Sequence, residues 1–419
     1  MGASTGVRLV FGILTFAVMA RWLGPADFGR LMTALAAAVL AGLVANFGLA
    51  TYGLREIGAA TQEQARAIMA DLLCSKLLLV AMVLAAAVVA VPWLPQPWPA
   101  LVAVMLLAQV FDAVTDLLNV GFRATGRFAD ETRVATMAAL LQFTLVTGTL
   151  LLWPQLLAAA VAYCVARGAV LGLTWRGQRQ YFAGLRPAPW RRGLARLRAA
   201  RAYAADYGLQ ALFGQVDSIV LAFYFGPAAV GVYQAGMRLF LGASQAASVL
   251  GNVAIPKLSS MRAQGLDTAK EARRVQLAFV LVGALGGLAL ALLPPGIVVA
   301  MFGPAYLEMT NLLPWLGALF LVRLSAAAWG LLLTVSGRQS LRACLTAAHW
   351  VVIGAVAFLV LPSTGVVGWI AALLAGNVAL FITYALMLRR TTGASVQGLP
   401  LFASLASCAG LIAFAMTRP

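Results

Sequence analysis

Apolar runs of about 20 residues recur along the whole chain and constrain its fold more than any other feature. Each run is long enough to cross roughly 30 Å of hydrocarbon as a helix, at about 1.5 Å per residue. In lipid, only helices and closed barrels satisfy their backbone hydrogen bonds, and the sequence lacks the alternating pattern of barrel strands. The chain is 62% hydrophobic and only 10% charged. The sequence therefore predicts an all-α integral membrane protein.

The apolar runs predict twelve transmembrane helices and a weaker thirteenth. No cleavage-site pattern follows the first run, so we expect a retained helix rather than a signal peptide. The predicted domains are an N-terminal six-helix lobe, a basic cytoplasmic linker, a C-terminal six-helix lobe and a tail, at residues 1–174, 175–202, 203–390 and 391–419. The helices are expected near residues 4–22, 31–53, 67–91, 98–120, 134–153, 155–174, 203–225, 228–254, 275–301, 311–335, 342–361, 365–388 and, for the weaker one, 400–417.

Basic residues collect in alternate loops. Eight arginines lie between Arg176 and Arg201, and the loops after the other even-numbered helices are also basic. Loops after odd-numbered helices carry almost no Lys or Arg, apart from Arg21 and Arg30 in the first. The positive-inside rule therefore predicts a cytoplasmic N-terminus, and it accounts for the net charge of +17 without a nucleic-acid partner. Residues 190–198 fit either a basic amphipathic helix on the inner leaflet or a solvated linker.

A short phrase occurs twice between neighbouring apolar runs. Gly24-Pro25-Ala26-Asp27-Phe28-Gly29 has a counterpart in Gly226-Pro227-Ala228-Ala229-Val230-Gly231, and Gly303-Pro304-Ala305-Tyr306 is a looser third copy. Glycine permits the turn, and proline starts the next helix. Repeated hairpins in a membrane chain indicate two related halves, as in transporters. Both full copies fall on the external side, so we expect parallel repeats about an axis along the membrane normal, with turns that help to close an outer gate.

Several phrases in order resemble one branch of a transporter superfamily. They are Ala20–Gly29, Asn46–Leu49 followed by Arg55–Ile57, Asp217–Val220 followed by Gly226-Pro227 and Val230–Tyr233, and Met301–Tyr306. Together they resemble the polysaccharide-synthesis (Wzx-type) flippases of the multidrug/oligosaccharidyl-lipid/polysaccharide exporter superfamily.

The resemblance implies two six-helix lobes around a central cavity, in the bacterial cytoplasmic membrane. It implies alternating access that carries an undecaprenyl-pyrophosphate-linked oligosaccharide to the outer leaflet, for O-antigen, capsule or exopolysaccharide synthesis. The partners would be that lipid-linked oligosaccharide, membrane lipids, and the polysaccharide polymerase and chain-length machinery. We expect no enzymatic activity and no cofactor beyond coupling to H⁺ or Na⁺. The four cysteines lack metal-ligand spacing, so we expect no metal site.

Arginines inside apolar helices are the candidate pyrophosphate ligands. Their planar fork binds two phosphate oxygens and stays charged. The candidates are Arg8, Arg238 and Arg323, and for Arg8 an interfacial snorkelling position is the alternative. Arg238 lies at a depth similar to that of Asp217 across the repeated turn, so the two form either a structural ion pair or a cavity site. A polar stripe on the same helix comprises Gln234, Arg238, Gln245 and Asn252.

The fourth predicted helix carries a second polar face. Gln109, Asp112, Asp116 and Asn119 are spaced three, four and three, and therefore share one side of a helix. Two carboxylates at this spacing suit a proton or sodium coupling site. The alternative is a structural bridge between Lys76 and Asp112, with Asp116 near the interface. We expect His349 to be a hydrogen-bonded core residue rather than a proton relay.

Three other functions are weighed against the flippase. A cation-coupled multidrug exporter of the same superfamily would use the carboxylates but has less use for midmembrane arginines. Lipid II flippases usually have fourteen helices and a longer chain. A polyprenyl-transferring membrane enzyme needs two acid-rich motifs for magnesium diphosphate, and the remaining intramembrane acids here are isolated.

Overall fold

A computed structural model describes residues 2–58, 60–182, 188–392 and 398–417, and over these residues the chain is helical without strands. The first half comprises α1 (Gly2–Asn46), α2 (Leu49–Gly58), α3 (Gln62–Ala90), α4 (Trp98–Ala124), α5 (Phe128–Leu152) and α6 (Leu156–Phe182). The second comprises α7 (Trp190–Ala263), α8 (Ala269–Ala291), α9 (Pro295–Phe302), α10 (Met309–Val335), α11 (Gln339–Thr392) and α12 (Gly398–Thr417). Both halves of the basic segment between the lobes are therefore largely helical.

The repeated Gly-Pro phrases form sharp corners with one shared backbone conformation. Gly24 has φ 73° and ψ 172° inside α1, and Gly226 has φ 76° and ψ 178° inside α7. Gly303, in the looser copy, has φ 94° and ψ 166°. Residues with a Cβ are essentially excluded from this region, which explains why each phrase begins with glycine. The predicted turns are thus confirmed at all three copies.

Nine helical segments in the described residues are long and apolar enough to cross a membrane. Three of them contain a corner glycine, namely Gly24, Gly226 and Gly365. Each corner divides its segment into two legs, so the nine segments supply twelve legs of membrane-spanning length. The prediction of an all-α fold with about twelve spans is confirmed.

Large apolar side chains lie exposed along these helices. Val88, Phe223 and Phe358 are 75%, 82% and 79% exposed. Water-soluble proteins rarely expose large apolar side chains this fully on several long helices. In hydrocarbon these side chains face lipid at no cost, so the protein is a multi-pass membrane protein.

Two predicted helices are interrupted in the structure. The span expected at 31–53 breaks after Asn46, because Phe47 and Gly48 both adopt positive φ, 47° and 62°. The span expected at 275–301 ends at Ala291 and resumes as α9, because Pro294 and Pro295 cannot donate the hydrogen bonds of a helix interior.

The chain forms two compact units, residues 1–231 and 232–419. In the first, α4 and α5 pack against α6, and α1 packs against α4 and α5. In the second, α10 is the central helix and packs against α8, α11 and α12. Gly287 and Gly317 let the α8 and α10 backbones touch: a Cβ at Gly287 would lie 2.6 Å from the Gly317 oxygen. Small residues at such crossings are typical of membrane helix packing.

The two full Gly-Pro corners contact each other through the last glycine of each phrase, within the first unit. A Cβ added at Gly29 would overlap the carbonyl oxygen of Pro227 and lie 2.9 Å from the Gly231 nitrogen. A Cβ added at Gly231 would in turn overlap the carbonyl oxygen of Pro25. The contact is reciprocal, as two copies related by a pseudo-two-fold axis require.

Candidate functional site

A polar cavity of about 440 Å³ lies among α1, α4, α5 and α6 of the first unit. This volume is in the range of small-molecule sites. Six ionisable side chains line it, three positive and three negative: Arg8, Arg123, Arg167, Asp112, Asp116 and Glu131. Hydroxyl and amide groups of Thr15, Thr115, Thr174, Asn119 and Gln142 complete the polar lining. Charged side chains among membrane-spanning helices are energetically expensive. This charged cavity is therefore the candidate functional site.

Arg167 of α6 pairs with Asp112 of α4 inside the cavity. The Arg167 Nη1 to Asp112 Oδ1 distance is 3.3 Å, and both side chains are less than one-third exposed. Arg167 also donates a 2.8 Å hydrogen bond to the Tyr163 hydroxyl, and its guanidinium lies 4.8 Å from the centre of the Tyr163 ring. The residues on α4 and α6 thus fix one charge pair in the cavity wall.

A second pair lies where α4 ends and α5 begins. Arg123 donates from Nε and Nη2 to Glu131 Oε1, at 3.0 and 2.8 Å. Beside it, Arg127 pairs with Asp130 at 2.7 Å. These pairs tie the α4–α5 connection and neutralise the charges at this end of the cavity.

Two lining charges, Arg8 and Asp116, form no salt bridge with any residue that the structure describes. Arg8 is exposed on α1, and Asp116 is half-buried one turn after Asp112. Asp116 remains within electrostatic reach of Lys76 and Arg123 without forming a salt bridge to either.

Lys76 does not pair with Asp112, contrary to the bridge considered from the sequence. Its buried ammonium donates to the carbonyl oxygen of Ala45 at 2.9 Å, and lies 3.4 Å from the carbonyl and side-chain oxygens of Asn46. These carbonyls belong to the last turn of α1, where helix carbonyls lack partners within the helix and the dipole attracts cations. Lys76 therefore caps the end of α1.

The predicted polar face of α4 is divided between two environments. Asp112, Asp116 and Asn119 line the cavity. Gln109 lies beside α1 instead, where a Cβ at Gly42 would be 3.5 Å from the Gln109 Cβ. The coupling role of these residues stays a prediction.

In the second unit, Arg323 is the fifteenth of the 27 residues of α10 and lies near its centre. Its guanidinium is exposed and lies 5.7 Å from the centre of the buried Phe240 ring, a cation–π distance. Arg238 and Gln234 are half-buried on α7, and Gln245 is exposed. The side chain of Asn252 lies outside the described residues. Their role as pyrophosphate ligands and cavity lining stays a prediction.

Asp217 is half-buried before the corner at Gly226, in the first unit. Its pairing with Arg238 stays a prediction. His349 is buried, and its Nδ1 contacts the Thr346 carbonyl oxygen. The expectation of a hydrogen-bonded core histidine is confirmed.

Arg167 is the cavity residue that sequence reasoning missed. It is the one charged residue between Leu156 and Trp175 in an otherwise apolar helix. The criterion that singled out Arg323, an isolated arginine far from a helix end, would have identified it as well.

The comparison with family models decides the relationship. The model described as "Polysaccharide biosynthesis protein" matches residues 2–262. The chain belongs to this family. No curated protein matches the chain by sequence.

Solved structures share the fold of this family member at low sequence identity. The lipid II flippase MurJ, in an inward closed conformation, has a TM-score of 0.75 at 9% identity, covering 100% of this chain and 92% of that one. An inward-facing multidrug resistance MATE family transporter of the MOP superfamily has a TM-score of 0.58 at 16% identity, covering 98% and 96%. A MOP superfamily transporter from Pyrococcus furiosus, described by a binding pocket of reverse polarity, also gives 0.58 at 16%, covering 92% and 94%. This family member therefore shares the fold of MurJ and of the two MOP-superfamily transporters, which is the fold that the resemblance predicts.

Proposed function

We propose that the protein is a flippase for an undecaprenyl-pyrophosphate-linked oligosaccharide. The observation that carries the proposal is the charged cavity among apolar helices. The guanidinium of Arg8 lines this cavity and forms no salt bridge with a described residue. A diphosphate cannot cross hydrocarbon unaided, and a cavity arginine lowers the cost of moving it. Membership in a polysaccharide biosynthesis family supports a glycan cargo.

Transport would follow alternating access in the bacterial cytoplasmic membrane, with the N-terminus in the cytoplasm. Arg8, and in the second unit Arg238 and Arg323, would bind the pyrophosphate, while the lipid tail stays in the bilayer. Asp116 would take up H⁺ or Na⁺, because no described side chain forms a salt bridge with it. The Asp112–Arg167 pair would hold the cavity wall between the two binding events.

The closer fold similarity to MurJ supports a lipid-linked diphosphate over a cationic drug, since the TM-score is 0.75 against 0.58 for the MATE transporter. It also keeps lipid II as the second candidate cargo. The argument from chain length against that cargo weakens, because this chain covers 92% of the MurJ structure.

The test is a proteoliposome assay with fluorescent undecaprenyl-pyrophosphate oligosaccharide and, separately, lipid II. We expect the oligosaccharide lipid to become accessible on the opposite leaflet at least tenfold faster than in empty liposomes. Arg8→Gln and Arg323→Gln should each reduce the rate at least tenfold, and the matched exposed change Arg66→Gln should not. Equal rates for all three variants would refute the arginine mechanism, and faster movement of lipid II would reassign the cargo.

A further inference from the structure

The first turns of α7, residues 190–203, are here called the linker helix. One of its faces is docked onto α2 and α3. The Ser75 hydroxyl donates to the carbonyl oxygen of Gly193 at 2.9 Å, in a buried contact. A Cβ at Gly193 would lie 3.1 Å from the Cys74 sulfur, so only glycine permits this approach without displacement. Ala200 is fully buried in a cluster of apolar side chains from α2, α3 and α4.

Arg196 ties the docked face electrostatically. Its guanidinium lies 3.3 Å from Asp71 Oδ2 and 3.7 Å from Glu56 Oε2, and it donates to the Tyr52 hydroxyl at 3.4 Å. Two turns further along α7, the Tyr203 hydroxyl accepts a 2.8 Å hydrogen bond from Arg55. These contacts fix the rotation of the linker helix about its own axis and so decide what its opposite face presents.

The opposite face is cationic. Arg191, Arg198 and Arg201 are all exposed, and none forms a salt bridge with a described residue. Along one edge of this face lie Trp190 and Leu194, which are 58% and 38% exposed. Arginines beside an exposed tryptophan are typical of a segment at the boundary between water and lipid.

The position of the linker helix along α3 gives its depth. The apolar run that begins in α3 extends for 20 residues, from Leu72 to Val91 just after the end of α3, and matches the roughly 30 Å thickness of the hydrocarbon. Its one charge, Lys76, is buried against the end of α1. The linker helix contacts α3 at Asp71 and Ser75, where this run begins. It therefore lies at the level of the lipid headgroups.

We propose that the exposed face of the linker helix is a binding surface for anionic phospholipid headgroups of the inner leaflet. Three guanidiniums at headgroup level, none of them paired with a described carboxylate, complement phosphodiester charge. The surface is distinct from the cavity. It depends on the cytoplasmic orientation proposed above but not on the transported cargo, so either proposal can fail without the other.

Native mass spectrometry of the full-length protein titrated with phosphatidylglycerol or phosphatidylcholine tests this surface. Each basic residue near an anionic surface contributes about fivefold in affinity, so R191Q/R198Q should weaken phosphatidylglycerol binding about 25-fold. Phosphatidylcholine binding should not change.

The matched control is R66Q/R262Q, which removes the same charge from exposed positions. Arg66 lies six residues before Leu72, about 9 Å outside the apolar run. We expect the control to stay within about twofold of the wild type. An equal loss in both double variants, or no loss in R191Q/R198Q, overturns the proposal.

A second measurement does not require the arginine variants to fold. Brominated phospholipids with bromines near the headgroup quench tryptophan at interface depth. The difference in fluorescence between the wild type and Trp190→Phe gives the signal of Trp190. We expect the brominated lipids to quench that signal in bilayers. A Trp190 signal that the brominated lipids leave unquenched overturns the proposed depth.

Discussion

At the scale of single residues, the two carboxylates of α4 have different surroundings although they lie one turn apart. Asp112 is 3.3 Å from Arg167, whereas Asp116 forms no salt bridge with a described residue. Removing one partner of a pair in a low-dielectric site leaves an uncompensated charge, which costs more than the pair itself contributes. We therefore expect the two residues to differ in how much each contributes to stability.

We predict that Asp112→Asn lowers the free energy of unfolding in detergent by about 2 kcal/mol, because Arg167 stays charged and loses its anion. Asp116→Asn should change it by less than about 0.5 kcal/mol. Thermal unfolding of the two purified variants beside the wild type gives the comparison. Equal destabilisation would show that the Arg167 pair does not distinguish the two positions.

The partner of Lys76 shows what the sequence can and cannot predict at this scale. Its depth in the third span was predictable from the position of the apolar run. Its partners were not, because they are carbonyls at a helix end that exists only where Phe47 and Gly48 break α1. Asp112 likewise pairs with Arg167, which lies 55 positions away in sequence, and no local sequence pattern predicts that contact.

At the scale of helices, the corner glycines serve two purposes. Gly24 and Gly226 provide a backbone conformation that other residues rarely adopt. Gly29 and Gly231 provide close approach, since each lies against a carbonyl of the opposite corner. The turns were predictable because Gly-Pro chemistry is local. The sequence predicted that the two copies are related by symmetry. It did not predict that they touch, because nothing in one copy specifies its distance from the other.

The corner at Gly303 and Tyr306 illustrates the same limit. Its corner was predicted from the phrase, but its complete burial beside Phe302 depends on packing, with ring centres 5.8 Å apart. Burial raises the pKa of the Tyr306 phenol and keeps it neutral. The third corner thus ends in a packed aromatic pair, whereas the two full copies end in a glycine contact.

We predict that Gly29→Ala and Gly231→Ala force the two corners apart. Each new methyl group would overlap a backbone carbonyl, and a backbone carbonyl cannot rotate away as a flexible side chain can. Val230 is fully buried beside this contact. In a cysteine-free background, Val230→Cys should react with a membrane-impermeant maleimide about tenfold faster when either alanine is present.

Gly172→Ala provides the control for this experiment. It also adds a methyl group to a helix, but a Cβ there meets nothing within 4 Å. We expect its labelling rate to equal that of the parent. If Gly29→Ala labels no faster than Gly172→Ala, the corners do not restrict access from outside.

At the scale of the whole molecule, the fold was the most predictable property, because the membrane permits so few alternatives. Twelve apolar legs had to be helices, because a membrane permits little else. The charge pattern of the loops predicts which side of the membrane each loop occupies. The internal chemistry was less predictable, because the charges that line the cavity are isolated on separate helices. The balance of three cations and three anions in the cavity appears only when α1, α4, α5 and α6 are assembled.

That balance leads to a prediction about energy coupling. With Asp112 and Glu131 neutralised by arginines, Asp116 is the remaining cavity carboxylate that can exchange a cation. In proteoliposomes, an imposed H⁺ or Na⁺ gradient should accelerate lipid movement by the wild type severalfold. Asp116→Asn should retain the rate without a gradient and lose the acceleration, whereas Glu131→Gln should keep it. Acceleration that persists in Asp116→Asn would place the coupling group elsewhere, with Asp217 the next carboxylate to change.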